Sequence, residues 1–355
     1  MIECPTAFGA VTAHGVIRQC PEDFRVDEVL GFAPGEGGEH LWLQVEKRGW
    51  NTTDVASWLA GCCGVPLRAV GYSGLKDRHA VTRQWFSVHL PGKDDPNLDA
   101  VPDGVTLLTQ VRHRRKLNRG THRSNRFSLR VKALGGDLDG LQARLEQVAA
   151  HGVPNYFGVQ RFGREAKNVS RGRDWLLGNG EAPRKQASKS MWLSALRSDL
   201  FNQVLAERVR TDCWSQLLDG DILQPEGSRG LFMADADDTA AARVAAGDVH
   251  PTAPLPGAGG MAPTGACAAL EARVLAPHAE LIAALAGQRV DGMRRATRLP
   301  VTDMDWQLDT AAAQLSLAFA LPSGAFATSV LAELLAVEDG SRAARTQQAP
   351  PGAGE

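Results

Sequence analysis

Residues 125–133 read NRFSLRVKA. Asn125, Phe127, Leu129, Val131 and Ala133 share one parity, and Arg126, Ser128, Arg130 and Lys132 share the other. Strict alternation over this length is a half-buried strand, one face on a core and the other free for solvent or phosphate. Outward from it, the first 135 residues are strand-rich. Phe24 and Val26 alternate with charged residues. Leu41, Leu43 and Val45 run between His40 and Glu46, and Phe86, Val88 and Leu90 end at Pro91-Gly92. Residues 53–61 predict a short helix with Val55, Trp58 and Leu59 on one face. After the strand, Leu141, Leu145, Val148 and Ala149 fall at helical spacing, and Gly152 with Pro154 ends that helix.

Beyond Gly163 the character becomes helical, with Leu196, Leu200, Phe201, Val204 and Leu205 as one stripe. Residues 251–269 are dense in Pro, Gly and Ala and predict a long loop. Leu315, Leu317, Phe319 and Leu321 alternate as a buried strand, 322–324 turn the chain, and Phe326, Val330, Leu331 and Leu334 start a helix. The segment from Asp339 is small, polar and rich in Pro and Gly, which predicts a disordered tail over 339–355. Strands, a helical middle, then strand and helix again fit an insertion that splits a sheet-based domain. A length of 355 residues corresponds to about two domains.

Hydrophobic residues make up 43% and charged residues 22%, which excludes a wholly disordered chain, a collagen and a coiled coil. The longest uncharged stretch, 310–332, carries Gln314, Ser316 and Pro322 and makes a poor membrane span. No cationic start followed by an apolar run opens the chain, so a cytoplasmic protein without a membrane partner is expected. The six cysteines form no CxxC pair and read as buried thiols, with no metal site. Net charge is −1, but its distribution is uneven. Between Gly104 and Gly136 there is no acid, while Arg112, Arg114, Arg115, Lys116, Arg119, Arg123, Arg126, Arg130 and Lys132 all fall inside. Segregated cations of this kind present a polyanion-binding face.

Three stretches carry the chemistry. GYSGLKDRHAVT, 71–82, is a glycine-bracketed loop with Asp77 between Lys76 and Arg78. It reads as an exposed turn, or as a carboxylate held ionised by positive neighbours and used as nucleophile or base. HRRKLNRGTHRSNRF, 113–127, reads as nucleic-acid contact. PNYFGVQRFG, 154–163, could stack on bases or form a packed aromatic corner. Walker, HExxH and nucleophile-elbow signatures are missing.

Together these stretches resemble the TruD family of transfer-RNA pseudouridine synthases. GLKDRHAVT at 74–82, RRKLNRGTHRSNRF at 114–127 and PNYFGVQRFG at 154–163 all look like that family's motifs. So do PSGAFATSVL at 322–331 and PEDF at 21–24, in the family's order. The resemblance implies isomerisation of uridine-13 in the D-arm of tRNA to pseudouridine. It implies an α+β fold: a pseudouridine-synthase catalytic domain with a mainly antiparallel central sheet flanked by helices, interrupted by an α/β insertion domain. The expected division is 1–155 with 301–338 as the split catalytic domain, and 156–300 as the insertion.

Carried over by motif, Asp77 matches the family's catalytic aspartate, and Phe24, Asn125 and Phe326 match substrate-binding positions. Phe127 shares the Asn125 motif and is expected to shape the pocket. Arg18, six residues before Phe24, stands where the family often has a lysine beside the aspartate. Arg18 is favoured over Lys76 and Arg78 as the partner, because chain neighbours of Asp77 in an extended segment point away from it. Arg114, Arg115, Lys116, Arg119 and Arg123 are expected to grip the RNA backbone. No cofactor and no protein partner are implied, and a monomer is expected. The other reading is a non-catalytic RNA-binding or chaperone protein, which would have no use for Asp77.

Overall fold

The computed structural model describes residues 4–98, 100–234 and 238–341. Seven strands open the chain: β1 (Ala13–Ile17), β2 (Phe24–Val29), β3 (Glu36–Arg48), β4 (Val70–Tyr72), β5 (Val81–His89), β6 (Val105–His113) and β7 (Ser124–Gly136). The middle holds β8 (Val153–Pro154), β9 (Ile222–Pro225), β10 (Phe232–Met233), β11 (Val249–Leu255), β12 (Met293–Ala296) and β13 (Arg298–Leu299). The last are β14 (Thr302–Asp309), β15 (Gln314–Pro322) and β16 (Ala336–Asp339). The helices are α1 (Thr52–Cys62), α2 (Leu138–His151), α3 (Lys167–Leu176), α4 (Gln186–Arg210), α5 (Asp238–Ala246), α6 (Gly265–Leu275), α7 (Ala279–Gly287) and α8 (Ala327–Leu334).

By compactness the chain divides into two units. A sheet unit comprises Thr12–Gln142, Val301–Ala327 and the chain from Leu335. A helical unit comprises the segment up to Val11, Ala143–Pro300 and Thr328–Leu334. Segment 156–300 lies wholly in the helical unit.

The sheet unit is built on ten strands in the order β14-β15-β7-β2-β5-β3-β6, with β1 bridging β16 and β7, and β4 on β5. Among the described residues of this sheet only β2·β5 and β1·β16 pair in parallel, so the sheet is mainly antiparallel. The quoted strand is its spine: β7 pairs with β15 and β2, placing Phe127 opposite both Phe319 and Val26. Its alternation holds as far as Lys132 and then slips. Ala133 takes φ +50°, is exposed, and passes the core position to Leu134. The slip lies where β1 and β7 lose register, a bulge that period-two reading cannot foresee. Leu41, Leu43, Val45, Phe86 and Val88 form one core with Val55 and Leu59 of α1, each with no exposed surface. Full burial of such side chains contributes roughly 1.5–3 kcal/mol each. Trp42 and Trp85 face the other way, onto Leu30 and Leu117, so β3 and β5 are buried on both faces.

The helical unit packs the 25-residue α4 at its centre, with Leu196, Leu200, Phe201, Val204 and Leu205 at most 1% exposed. A four-stranded sheet, β10-β9-β11-β12, lies in the same unit. The loop expected at 251–269 is confined to 256–264: β11 occupies the start of that stretch and α6 its end. Pairing on both edges overrides the prolines. β11 is held by β9 and β12, and Pro251, lacking an N–H, still accepts from the Thr297 N–H at 2.9 Å. The chain from Asp339 also departs from expectation. Residues 336–339 form β16 in parallel register with β1, and residues 342–355 lie outside the described residues. Of the cysteines, Cys63, Cys213 and Cys267 are buried, but Cys4 and Cys62 are exposed and Cys20 is half-buried.

Glu333 of α8, 3% exposed, anchors the start of the chain by accepting the Ala7 N–H at 2.9 Å. Arg144 donates to the carbonyls of Glu333, Gly9 and Ala10. Burial pushes the Glu333 carboxyl up from 4.5 to about 7, against the pull of the Ala7 N–H and Arg144. Between those values the folded chain binds more protons than the unfolded one, so stability falls as pH rises through the window. The loss should be on the order of 3 kcal/mol. Glu333→Gln should flatten the pH dependence of denaturant unfolding between pH 5 and 8. An unchanged slope would contradict this assignment.

Candidate active site

Asp77 sits on the loop between β4 and β5, a path that needs glycine. A Cβ on Gly71 would lie 2.3 Å from the Leu117 carbonyl oxygen. The Asp77 carboxylate is 37% exposed. Its Oδ1 accepts the His79 N–H at 3.0 Å, and its Oδ2 lies 3.2 Å from the Arg18 guanidinium. Arg18 leaves β1 at φ +56° and is only 15% exposed in its side chain. Its other amine reaches Asp339 Oδ2 at 3.3 Å, and its guanidinium carbon lies 4.0 Å from the centre of the Phe24 ring. The neighbouring cations point elsewhere: Lys76 pairs with buried Glu28 at 3.0 Å, and Arg78 donates to the Gly49 carbonyl at 2.9 Å. Asp339 belongs to a segment that composition assigns to a tail. The parallel β1·β16 pairing delivers it to Arg18, and Ser341 fixes it by two hydrogen bonds.

The loop's main chain is held from beneath by three buried polar side chains that motif reading did not single out. Gln84 Nε2 donates to the Gly74 carbonyl at 3.3 Å, the Lys76 N–H donates to Thr52 Oγ1 at 2.9 Å, and Lys47 Nζ donates to the Asp77 carbonyl at 2.9 Å. Thr52 and Gln84 are joined to each other at 2.9 Å. A signal for Lys47 was present: it shares the parity of Leu41, Leu43 and Val45, where a charge on the core face is unexpected.

Asn125 is 7% exposed and stands opposite Glu28 across the β2·β7 pair. Its amide contacts His122 Nε2 at 3.2 Å, and its second polar atom, assigned as Oδ1, has no partner. His122 Nδ1 is bonded to Ser73 Oγ. Burial, aided by Lys76, pushes the His122 imidazole down to about 4, so it is neutral at physiological pH. Asn125 thus offers a buried amide group held by a neutral ring.

The sequence profile described as tRNA pseudouridine synthase D (TruD) matches residues 8–182 and 169–334. The tRNA pseudouridine synthase D of Ectopseudomonas mendocina is 47% identical over 332 residues, covering 93% of this chain and 94% of that protein. The protein of the same name from Azotobacter vinelandii is 46% identical with the same coverage. The chain belongs to the TruD family. A TruD crystal structure from Methanosarcina mazei shares the fold at a TM-score of 0.76. It is 20% identical and covers 93% of this chain and 95% of that one.

The aromatic residues of the TruD motifs differ in exposure. Phe24 and Phe127 are 3% and 6% exposed and meet edge to face at 6.2 Å, and Phe127 stacks on Phe319 at 5.3 Å. Both are core rings rather than open stacking platforms, and Phe24 lies beneath the Arg18 guanidinium. Phe326, just before α8, is 37% exposed and does present a ring. In the TruD helical unit, the 154–163 run is a packed corner. Phe157 and Phe162 are buried, and Arg295 lies 4.3 Å from the Phe157 ring centre. Arg114, Arg115, Lys116, Arg119 and Arg123 are all exposed, on the loop between β6 and β7. Arg119 covers Tyr72 at 4.4 Å and bonds its hydroxyl at 3.1 Å, while Lys116 donates to the Arg68 carbonyl. Among the described residues no helix is long and apolar enough to cross a membrane, and no cluster of His, Cys, Asp or Glu could hold a metal ion.

Proposed function

We propose that this TruD protein isomerises uridine-13 in the D-arm of tRNA to pseudouridine, with Asp77 as the catalytic group. The observation that carries the reading is the half-exposed Asp77 carboxylate gripped by Arg18, itself backed by Asp339 and Phe24. The uridine leaves its stack at a cost of a few kcal/mol and meets Asp77 from the solvent side. Asp77 then attacks C1′ or removes the 2′ proton to give a glycal, and in either route the N1–C1′ bond breaks. The uracil turns and C5 bonds to C1′ as the Asp77–C1′ bond breaks, or, from the glycal, as Asp77 returns the proton to C2′; the C5 proton is released and N1 gains one. Atoms and electrons balance within the substrate, so the chemistry has no need of a cofactor or metal. Phe326 stacks on the base, a contact of about 1–3 kcal/mol, and Asn125 bonds the uracil edge or a ribose hydroxyl. Phe24 and Phe127 set the wall of that pocket. In this reading the protein acts as a monomer in the cytoplasm. Segment 156–300 is the family's insertion domain and adds tRNA contacts.

Arg114, Arg115, Lys116, Arg119 and Arg123 hold phosphates and set register without reading bases. Replacing Arg114, Arg115 and Arg123 together by Ala should weaken tRNA binding and reduce the slope of log K against log salt by about 2–3. An unchanged slope in a salt titration would remove these residues from the interface.

The proposal is tested by incubating the protein with an unmodified tRNA pool and mapping new pseudouridines by chemical labelling. A single new site in the D-arm is expected. Binding with strong salt dependence but no modification at any site would favour the RNA-binding reading instead.

A further inference from the structure

Lys47 lies in the middle of β3 with no exposed surface. An ammonium taken out of water is costly unless other groups replace the water. Here the replacements are two main-chain carbonyls, Trp50 at 2.7 Å and Asp77 at 2.9 Å. A lysine placed only to fill the core would be better replaced by an apolar side chain of similar volume. The site does more than bury it. The Asp77 carbonyl is tied by Lys47, the Lys76 N–H by Thr52 and the Gly74 carbonyl by Gln84, three buried groups acting on one short loop. The Asp77 side chain is oriented separately, by Arg18 and the His79 N–H.

We propose that Lys47 is a positioning residue for the isomerisation. Its ammonium fixes the main chain at Asp77, and so sets where the carboxylate meets the uridine's ribose. This rests on the reading of Asp77 as the catalytic group. The charged groups around the ammonium are Asp77 and Asp54, which favour its charge, and Lys76, which opposes it. Burial dominates and pushes the ammonium down from 10.5 to about 8. As pH rises through that value the charge is lost, and charge-assisted bonds to the carbonyls weaken to ordinary ones. The wild-type rate should therefore fall on the basic side near pH 8.

The test is the single-turnover rate at saturating enzyme, from pH 6 to 10, for wild type, Lys47→Met, Lys47→Arg and Asp77→Asn, with tRNA affinity and thermal melts alongside. Lys47→Met should lower the rate at neutral pH about 100-fold, the cost of a misplacement near 1 Å, with affinity little changed. Its basic limb should vanish. Lys47→Arg, which keeps a charge that does not titrate here, should recover part of the rate and also lose the limb. A wild-type rate in Lys47→Met, or a lower rate with the limb still in place, would overturn the inference. Should Lys47→Met fail to fold, the wild-type profile decides, and a flat basic side overturns it. An active Asp77→Asn protein would instead remove the reading of Asp77 itself, whereas an inactive one beside a fully active Lys47→Met removes only the role of Lys47.

Discussion

Asp77→Asn should bind tRNA with unchanged affinity and isomerise it at least about a thousandfold more slowly, the scale lost when a reacting side chain is neutralised. The substitution keeps the volume and the Oδ1 acceptor for the His79 N–H, so the loop should hold its shape. What it removes is the negative charge facing Arg18 and, with it, both chemistries open to the carboxylate. An amide neither attacks C1′ nor takes a 2′ proton at useful rates. Binding should persist, because the exposed cations of residues 114–123 are untouched. Quench-flow rates beside a filter-binding curve separate the two effects. Comparable loss of affinity and rate would show that the side chain serves recognition rather than reaction.

Arg18→Ala should lower the rate about 100-fold, through misplacement of Asp77. The guanidinium joins three groups: Asp77 at 3.2 Å, Asp339 at 3.3 Å and the Phe24 face at 4.0 Å. Removing it leaves two carboxylates facing one another's former partner and opens a gap on Phe24. Arg18→Lys should fall between, since a compact ammonium cannot reach both acids with the planar fork of arginine. Asp339→Asn should weaken the same anchor more mildly, and its effect should shrink in the Arg18→Ala background. Rates for the four proteins form a double-mutant cycle. Additive losses would mean that Asp339 does not act through Arg18.

The legible parts of this protein were those with a short repeat in the chain. Alternation in 125–132, the α4 stripe and the parity of Leu315, Leu317, Phe319 and Leu321 each follow from one face meeting a core. Chain neighbours diverge in an extended segment, and Asp77 accordingly pairs with Arg18 while Lys76 and Arg78 turn elsewhere. What escaped was set by partners distant in sequence. β11 is a strand because β9 and β12 flank it, and Asp339 reaches Arg18 because β16 lies along β1. The slip at Ala133 is a backbone event with no side-chain signature. Ring exposure was legible in part: parity sets Phe24 with Val26 and Phe127 with Leu129 on the core face, whereas no pattern marked the 37% exposure of Phe326. Lys47, Thr52 and Gln84 lie on three different elements and converge only after β3, α1 and β5 pack.

The most direct test of the central claim uses two tRNA transcripts that differ only at position 13, uridine in one and cytidine in the other, each labelled with tritium at C5 of its pyrimidines. Forming the C5–C1′ bond expels the C5 hydrogen, so tritium in solvent counts turnovers. Release equivalent to one site per tRNA is expected from the uridine-13 transcript, and none from the cytidine-13 transcript or with Asp77→Asn. Equal release from both transcripts, or release by Asp77→Asn at the wild-type rate, would contradict the central claim.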